Sequence, residues 1–192
     1  ADQVLVKVAA TSINPIDWKL REGYLKQMFP WSFPIILGWD VAGEIVEVGQ
    51  KVKDYHVGDR IFARPETTRF GTYADYTIVD TNLLAPLPES IAFTEAAAVP
   101  LAGLTALQAL FDHGSLKAGE KVLIHAGAGG VGTYAIQLAK NAGAYVITTA
   151  SPRNHELVKK LGADEVIDYH TTDFEEVLTD IDLVFDTMGG EI

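Results

Sequence analysis

One run of six residues limits what this chain can become. Gly127-Ala128-Gly129-Gly130-Val131-Gly132 matches G-x-G-x-x-G. It follows the apolar segment Val122-Leu123-Ile124-His125-Ala126 and opens the helical pattern Gly130–Ala142, which Gly143 ends. A strand that turns through glycines straight into a helix is the context in which this pattern holds a dinucleotide. Each glycine has a cause: the turn is tight, a pyrophosphate must approach the backbone, and the helix must pack closely on the strand. The helix N-terminus then offers free N–H groups and a partial positive charge. A glycine-rich turn with no ligand is the competing reading.

Beyond the loop, strand and helix patterns alternate. Tyr145–Thr149 reads as a second strand and Arg153–Leu161 as a helix with Gly162 at its C-terminal end. Glu165–Asp168 reads as a third strand, Phe174–Leu178 as a short helix and Asp182–Asp186 as a fourth strand. This alternation predicts an α/β fold, a Rossmann doubly wound parallel sheet. The end of the second strand then tests the cofactor. NAD sites carry Asp or Glu there to hold the ribose 2′-hydroxyl. Here the residues run Thr148-Thr149-Ala150-Ser151-Pro152-Arg153-Asn154, and the next acid is Glu156, inside the following helix. Hydroxyls and an arginine suit a 2′-phosphate that a carboxylate would repel. Ser151 and Arg153, with Thr149 beside them, are the candidate contacts, and NADPH is the expected cofactor. The alternative is a solvated Arg153 and NAD.

The residues before about 98 follow another period. Val4–Val8, Ala42–Val48 and Tyr73–Val79 read as strands, punctuated by Gly49, Gly58-Asp59 and Gly71-Thr72. Asn14–Arg21 reads as a short helix with Pro15 in its first turn. Short strands with close turns predict a small barrel or sandwich. Thr94–Leu110 is rich in alanine and leucine and reads as helix, interrupted at Pro100 and Gly103. Two domains are therefore expected, 1–98 and 99–192. The chain opens inside a strand pattern and stops just past the fourth strand. A doubly wound dinucleotide domain has about six strands, so the fold is expected to be incomplete at both chain ends.

Composition removes several function classes. The 192 residues include no cysteine, which excludes disulfides and thiolate zinc sites. The five histidines are scattered, with no pair at ligand spacing on one predicted helix, and no metal site is expected. A net charge of −11 argues against nucleic acid or an anionic membrane as partner. No apolar run is long enough to span a bilayer and no leader pattern is seen. A reducing cytoplasm is the expected setting.

Five further motifs carry a resemblance that runs along the whole chain. They are Ser12-Ile13-Asn14-Pro15-Ile16-Asp17, Leu37-Gly38-Trp39-Asp40-Val41-Ala42-Gly43, Val57-Gly58-Asp59-Arg60, Ala102-Gly103-Leu104-Thr105-Ala106 and the loop Gly127–Gly132. In them the sequence resembles the medium-chain dehydrogenase/reductase superfamily, and within it the zinc-free, zeta-crystallin-like quinone oxidoreductases. The resemblance implies a GroES-like N-terminal catalytic domain, then the first half of a Rossmann NADP-binding domain, with the active site in the cleft they share. The zinc enzymes of the superfamily use Cys and His ligands. Here the stretch Ile13–Asp17 holds no cysteine, and their Gly-His-Glu is Gly38-Trp39-Asp40. The resemblance therefore implies zinc-independent hydride transfer from NADPH to a quinone or an α,β-unsaturated carbonyl.

Residue roles follow from the same resemblance. Asn14 would lie beside the nicotinamide, offering both donor and acceptor; capping the helix at Pro15 is its alternative. Thr105 and Tyr169 match cofactor contacts, the latter near the adenine; a plain helix threonine and a surface tyrosine are the alternatives. Gly127, Ala128, Gly129, Gly130 and Val131 would carry the pyrophosphate. Tyr24 or water would supply the proton. Tyr24, Trp18, Trp31 and Phe33 are candidates for an apolar substrate wall, or simply core. Asp17 and Arg21, four apart, read first as a helix ion pair. An enoyl-thioester reductase and a non-catalytic NADPH binder stay open. The partner expected is a small electrophile, and the full-length protein is expected to be a homodimer.

Overall fold

A computed structural model describes residues 1–189. The chain divides into two compact units, Ala1–Leu101 and a second from Ala102 onward.

The first unit is built on β1 (Gln3–Ala10), β2 (Val41–Val48), β3 (Arg60–Ala63), β4 (Tyr76–Asp80) and β5 (Leu84–Pro86). They form an antiparallel sheet in the order β4-β1-β2-β3-β5. Alternation does the sorting: Val4 and Val6 face inward with Val41, Ile45, Ile61 and Val79, while Lys7, Glu44 and Ile78 face out. The short strands β3 and β5 were not anticipated. At four and three residues they are too brief for a period to show, and they are strands because β2 and β3 supply the hydrogen-bonding edges.

Helix α1 (Pro15–Arg21) starts where expected, with Asn14 at its N-cap and Pro15 at its first position. The helical stretch expected at 94–110 is three pieces: α2 (Phe93–Ala97), α3 (Pro100–Leu107) and a π-helical turn, Gln108–His113. Pro100 does split the pattern, but as the first residue of α3, and Gly103 lies inside that helix without breaking it.

The second unit is a parallel sheet of β6 (Lys121–Ile124), β7 (Tyr145–Thr149), β8 (Glu165–Ile167) and β9 (Leu183–Phe185), in the order β8-β7-β6-β9. Its helices are α4 (Gly130–Asn141), α5 (His155–Leu161) and α6 (Phe174–Val177). Alternate strand residues feed two cores. Val122, Ile124 and Val146 pack with Ala135, Ile136 and Val158 of α4 and α5. Leu123, Ile147 and Ile167 pack with Phe174, Leu178 and Ile181 on the other face. The strand order reverses at β6, where the chain has gone one way to β7 and β8 and returns on the far side as β9. Such a reversal leaves a crevice at the carboxyl ends of the strands, where ligands bind. No helix among the described residues is long and apolar enough to cross a membrane.

Candidate functional site

The glycine loop lies at that reversal. β6 ends at Ile124, the backbone turns through Ala126 at a φ of 52°, and α4 begins at Gly130 with Gly129 as its N-cap. Ala126 sits in the left-handed region, where a side chain costs about 1–2 kcal/mol. Its N–H donates to the Thr149 hydroxyl at 3.1 Å, and the Gly127 N–H donates to the Thr149 carbonyl at 3.1 Å. A Cβ at Gly127 would overlap the Thr148 hydroxyl, and one at Gly132 would overlap the Ala126 carbonyl. These two glycines bring loop, helix and β7 together. At Gly130 nothing lies within 4 Å of a Cβ, so the space over the start of α4 is open. The first bond into the helix runs from Thr133 N to Gly129 O at 3.0 Å. The N–H groups of Gly130, Val131 and Gly132 precede it and have no helical acceptor. A cradle of this kind, with open space above amide donors, fits a pyrophosphate.

The neighbouring loops leave the same sheet edge. Ser151 and Arg153 follow β7, one strand spacing, about 5 Å, from the loop after β6. Ser151 opens a 3-10 turn, Pro152–Asn154, and its hydroxyl accepts from Asn154 Nδ2 at 3.4 Å. Arg153 is exposed and makes no ion pair among the described residues. Tyr169 follows β8, a spacing further out, exposed and tilted against His170 at 4.2 Å between ring centroids. Thr149 stands apart from this group. It is 4% exposed and its hydroxyl and carbonyl are engaged by Ala126 and Gly127, so it shapes the loop from below. His125 lies against it, with Nδ1 3.3 Å from the Thr149 hydroxyl and its ring edge-on to Phe174. Burial holds the imidazole below its usual pKa, with the charge of Asp186 opposing. Thr105 is exposed on α3.

In the first unit a polar cluster surrounds Asn14. Asn14 is only half of a cap: its N–H donates to Asp17 Oδ2 at 2.6 Å, yet its side chain does not bond back to the helix. The side-chain amide instead donates to Asp40 Oδ2 at 2.7 Å and to Ser12 Oγ at 3.1 Å. Ser12 Oγ itself donates to Asp40 Oδ2. The other oxygen of Asp40 accepts from Leu101 N–H at 2.8 Å. Asp40 is fully buried just before β2, and Arg64, just after β3, is close enough to feel its charge. The Arg64 guanidinium donates to Pro65 O and Thr67 Oγ1, each at 2.7 Å; burial lowers its pKa against the charge of Asp40.

Asp17 is the second buried acid, 3% exposed. It accepts from Asn14 N–H, from Gly38 N–H at 3.2 Å and from the Tyr73 hydroxyl at 2.8 Å. Burial and that bond to Asp17 push the Tyr73 phenol well above its usual pKa. The expected Asp17–Arg21 ion pair does not form. Arg21 pairs with the adjacent, exposed Glu22 at 2.9 Å, because Asp17 is turned inward to three better donors. Asp40, Ser12 and Tyr73 were not picked out from sequence as site residues. Their partners lie up to 61 residues away, beyond any local spacing.

The four aromatics do not share a wall. Trp18 and Tyr24 meet edge-on at 5.9 Å, with Tyr24 73% exposed. Trp31 packs toward Phe29 and the buried Trp39, and lines an open hollow of about 740 Å³ with Ile36, Phe70 and Tyr76. Phe33 is exposed.

Comparison with known proteins agrees with this architecture. Residues 1–89 match the alcohol dehydrogenase GroES-like domain, and residues 130–192 match the zinc-binding dehydrogenase family. A chloroplast envelope quinone oxidoreductase homolog of Arabidopsis thaliana is 46% identical over 89% of this chain and 54% of its own length. An NADPH-dependent alkenal/one oxidoreductase of the same plant, also chloroplastic, is 42% identical over 98% of this chain and 50% of its own. The quinone oxidoreductase of Coxiella burnetii superposes with a TM-score of 0.92 at 44% identity, over 98% of this chain and 61% of that one. The chain thus spans about half the length of the curated relatives it matches. A GroES-like sheet followed by a glycine-loop parallel sheet, each with these relatives, means that the chain belongs to the medium-chain dehydrogenase/reductase superfamily, in the branch that holds the quinone oxidoreductases.

Proposed function

We propose that this chain carries the cofactor loop and the N-terminal residues of an NADPH-dependent oxidoreductase that reduces a quinone or an α,β-unsaturated carbonyl without zinc. The observation that carries the reading is the cradle at Gly127–Gly132, open above three unpaired helix amides, with Ser151 and Arg153 and no acid at the end of the next strand. The names of the alkenal/one and quinone oxidoreductase relatives support both the cofactor and the acceptor class.

The amides of Gly130 and Val131 bind the pyrophosphate, while Ala128 and Gly129, whose own N–H is spent on Ala126 O at 2.9 Å, shape the loop beneath it. Arg153 and the Ser151 hydroxyl take the 2′-phosphate, and Tyr169 lies along the adenine. Thr105 and Asn14 orient the nicotinamide half. When bound, NADPH supplies a hydride to the electron-poor carbon of the acceptor. Tyr24 or a water supplies the balancing proton. Zinc plays no part in this scheme. Trp39 replaces a histidine with an indole that has no free lone pair, and its N–H is spent on Thr68 O at 3.2 Å. The Asp40 carboxylate is already filled by three donors. A cytoplasmic location and a homodimer belong to the same proposal.

The test follows NADPH oxidation by absorbance with a quinone, an enone and a crotonyl thioester, using purified full-length protein treated with a chelator. Turnover with the first two supports the reading. Turnover with the thioester alone points to an enoyl-thioester reductase. NADPH binding without turnover on any of them would mark a non-catalytic binder. Tyr24→Phe should lower kcat if the tyrosine is the proton source and leave it unchanged if water is.

A further inference from the structure

We infer that Asp40 is a positioning residue whose charge fixes the orientation of the Asn14 amide, so that Asn14 presents only a hydrogen-bond acceptor to its ligand. This rests on the reading of Asn14 as a cofactor contact. A side-chain amide has two different ends, and rotating it by half a turn exchanges donor for acceptor. What surrounds Asn14 removes that choice. Asp40 Oδ2 accepts from the Ser12 hydroxyl and from Asn14 Nδ2, which reaches it at 2.7 Å. The Ser12 hydroxyl spends its proton on the same oxygen and offers Nδ2 a second acceptor at 3.1 Å. Turning the amide over would set its carbonyl oxygen against the carboxylate inside a buried pocket, with no proton between them.

The carboxylate is itself held. Its Oδ1 takes Leu101 N–H at 2.8 Å, and Thr11 Oγ1 donates to the Asp40 backbone carbonyl at 2.7 Å. Asn14 is half-buried, whereas Asp40 is fully buried behind it, so the amide is the accessible end of the chain of bonds. The outward group is then Oδ1. It selects a donor, either the carboxamide N–H of the nicotinamide or a hydroxyl of the adjoining ribose. It cannot donate to the oxygen of a carbonyl substrate, so Asn14 orients cofactor and does not stabilise the acceptor's developing charge.

The test exchanges the pair. Asn14→Asp with Asp40→Asn keeps the net charge and the inward hydrogen bond with its direction reversed, and leaves an acceptor oxygen facing out. Asp40→Asn by itself should weaken NADPH binding roughly 3- to 10-fold, the range of one lost neutral hydrogen bond. The exchanged double variant should recover most of that affinity. A double variant that folds yet binds NADPH worse than Asp40→Asn would mean that Asn14 acts as a donor, and would overturn the inference. So would an Asp40→Asn protein that binds NADPH like the parent while Asn14→Ala does not. If Asn14→Ala leaves NADPH affinity unchanged, the underlying cofactor contact is wrong, whatever Asp40 does. Should Asp40→Asn fail to fold, the parent decides: its Asn14 side-chain amide protons must be protected from solvent exchange, and fast exchange refutes the proposal. The 3-acetylpyridine analogue of NADPH, which lacks the amide donor, separates the sources. Discrimination against it that disappears in Asn14→Ala assigns the carboxamide, and unchanged discrimination assigns the ribose hydroxyl.

Discussion

Two alanines three residues apart should have opposite effects, and the loop geometry sets their sizes. At Gly127 a Cβ meets the Thr148 hydroxyl, which is fully buried and donates to Ile124 O at 2.7 Å. Neither side can retreat, since Ile136 of α4 closes the space behind. Overpacking of this kind costs about 1–3 kcal/mol, and loosening the Thr148 bond adds about 1 kcal/mol. At roughly 2–4 °C per kcal/mol for a chain of this size, Gly127→Ala should melt several degrees or more below the parent. At Gly130 the same methyl meets nothing within 4 Å. It restricts the unfolded chain and should raise stability by about 0.4–1 kcal/mol. That methyl nevertheless stands in the open space over the helix amides, so NADPH affinity should fall roughly tenfold, about 1.4 kcal/mol. Thermal melts without nucleotide, paired with fluorescence titration of NADPH, read both effects. A Gly127→Ala protein that melts like the parent, or a Gly130→Ala protein that binds NADPH undiminished, would refute the cradle as described.

Other consequences can be checked singly. Arg153→Glu should weaken NADPH by about 10- to 100-fold, the loss of a charge-assisted bond plus a new repulsion, and narrow or reverse the preference over NADH in competition titrations. Asp17→Ala leaves three donors without their acceptor, two of them backbone N–H groups, and should cost about 3–5 kcal/mol in urea unfolding, whereas Arg21→Ala should stay within about 0.5 kcal/mol. The depressed pKa of His125 has a definite sign. Below about 6.5 the unfolded chain binds a proton that the folded one resists, so stability falls as pH drops from there toward the folded value, and is flat above. His125→Gln should flatten that slope in denaturation series run downward from about pH 6.5.

Legibility followed the range of the interaction. The glycine loop, β7 and the helix after it were readable because turn, period and cap lie within a few residues of one another. Arg60–Ala63 and Leu84–Pro86 were not, since each is a strand only through its neighbour. The Asp17–Arg21 spacing was real, but helix geometry states only which pairs can meet. Tyr73, fifty-six residues on, and Gly38 decided which way Asp17 turned. Thr149 shows the reverse: its place at the end of β7 was legible, but the use of its hydroxyl was not, because the loop that consumes it comes from another strand.

Trp39 and Asp40 stand together for a chemical reason. A buried carboxylate survives only if its lone pairs are filled. In a metal site the ion fills them; here Ser12, Asn14 and Leu101 do, and Arg64 supplies positive charge nearby. An imidazole at position 39 would bring a second basic nitrogen in need of a partner, whereas the indole brings a donor that Thr68 O satisfies and a ring that packs fully inside against Trp31. Under the zinc-free reading proposed above, the indole at 39 offers no metal ligand and the Asp40 carboxylate takes hydrogen bonds instead, one of them from the Asn14 amide. Trp39→His alone should therefore not create a zinc site. It would leave a cavity where the larger ring was and a carboxylate still committed to its three donors, measurable as lost stability with no gain in zinc affinity.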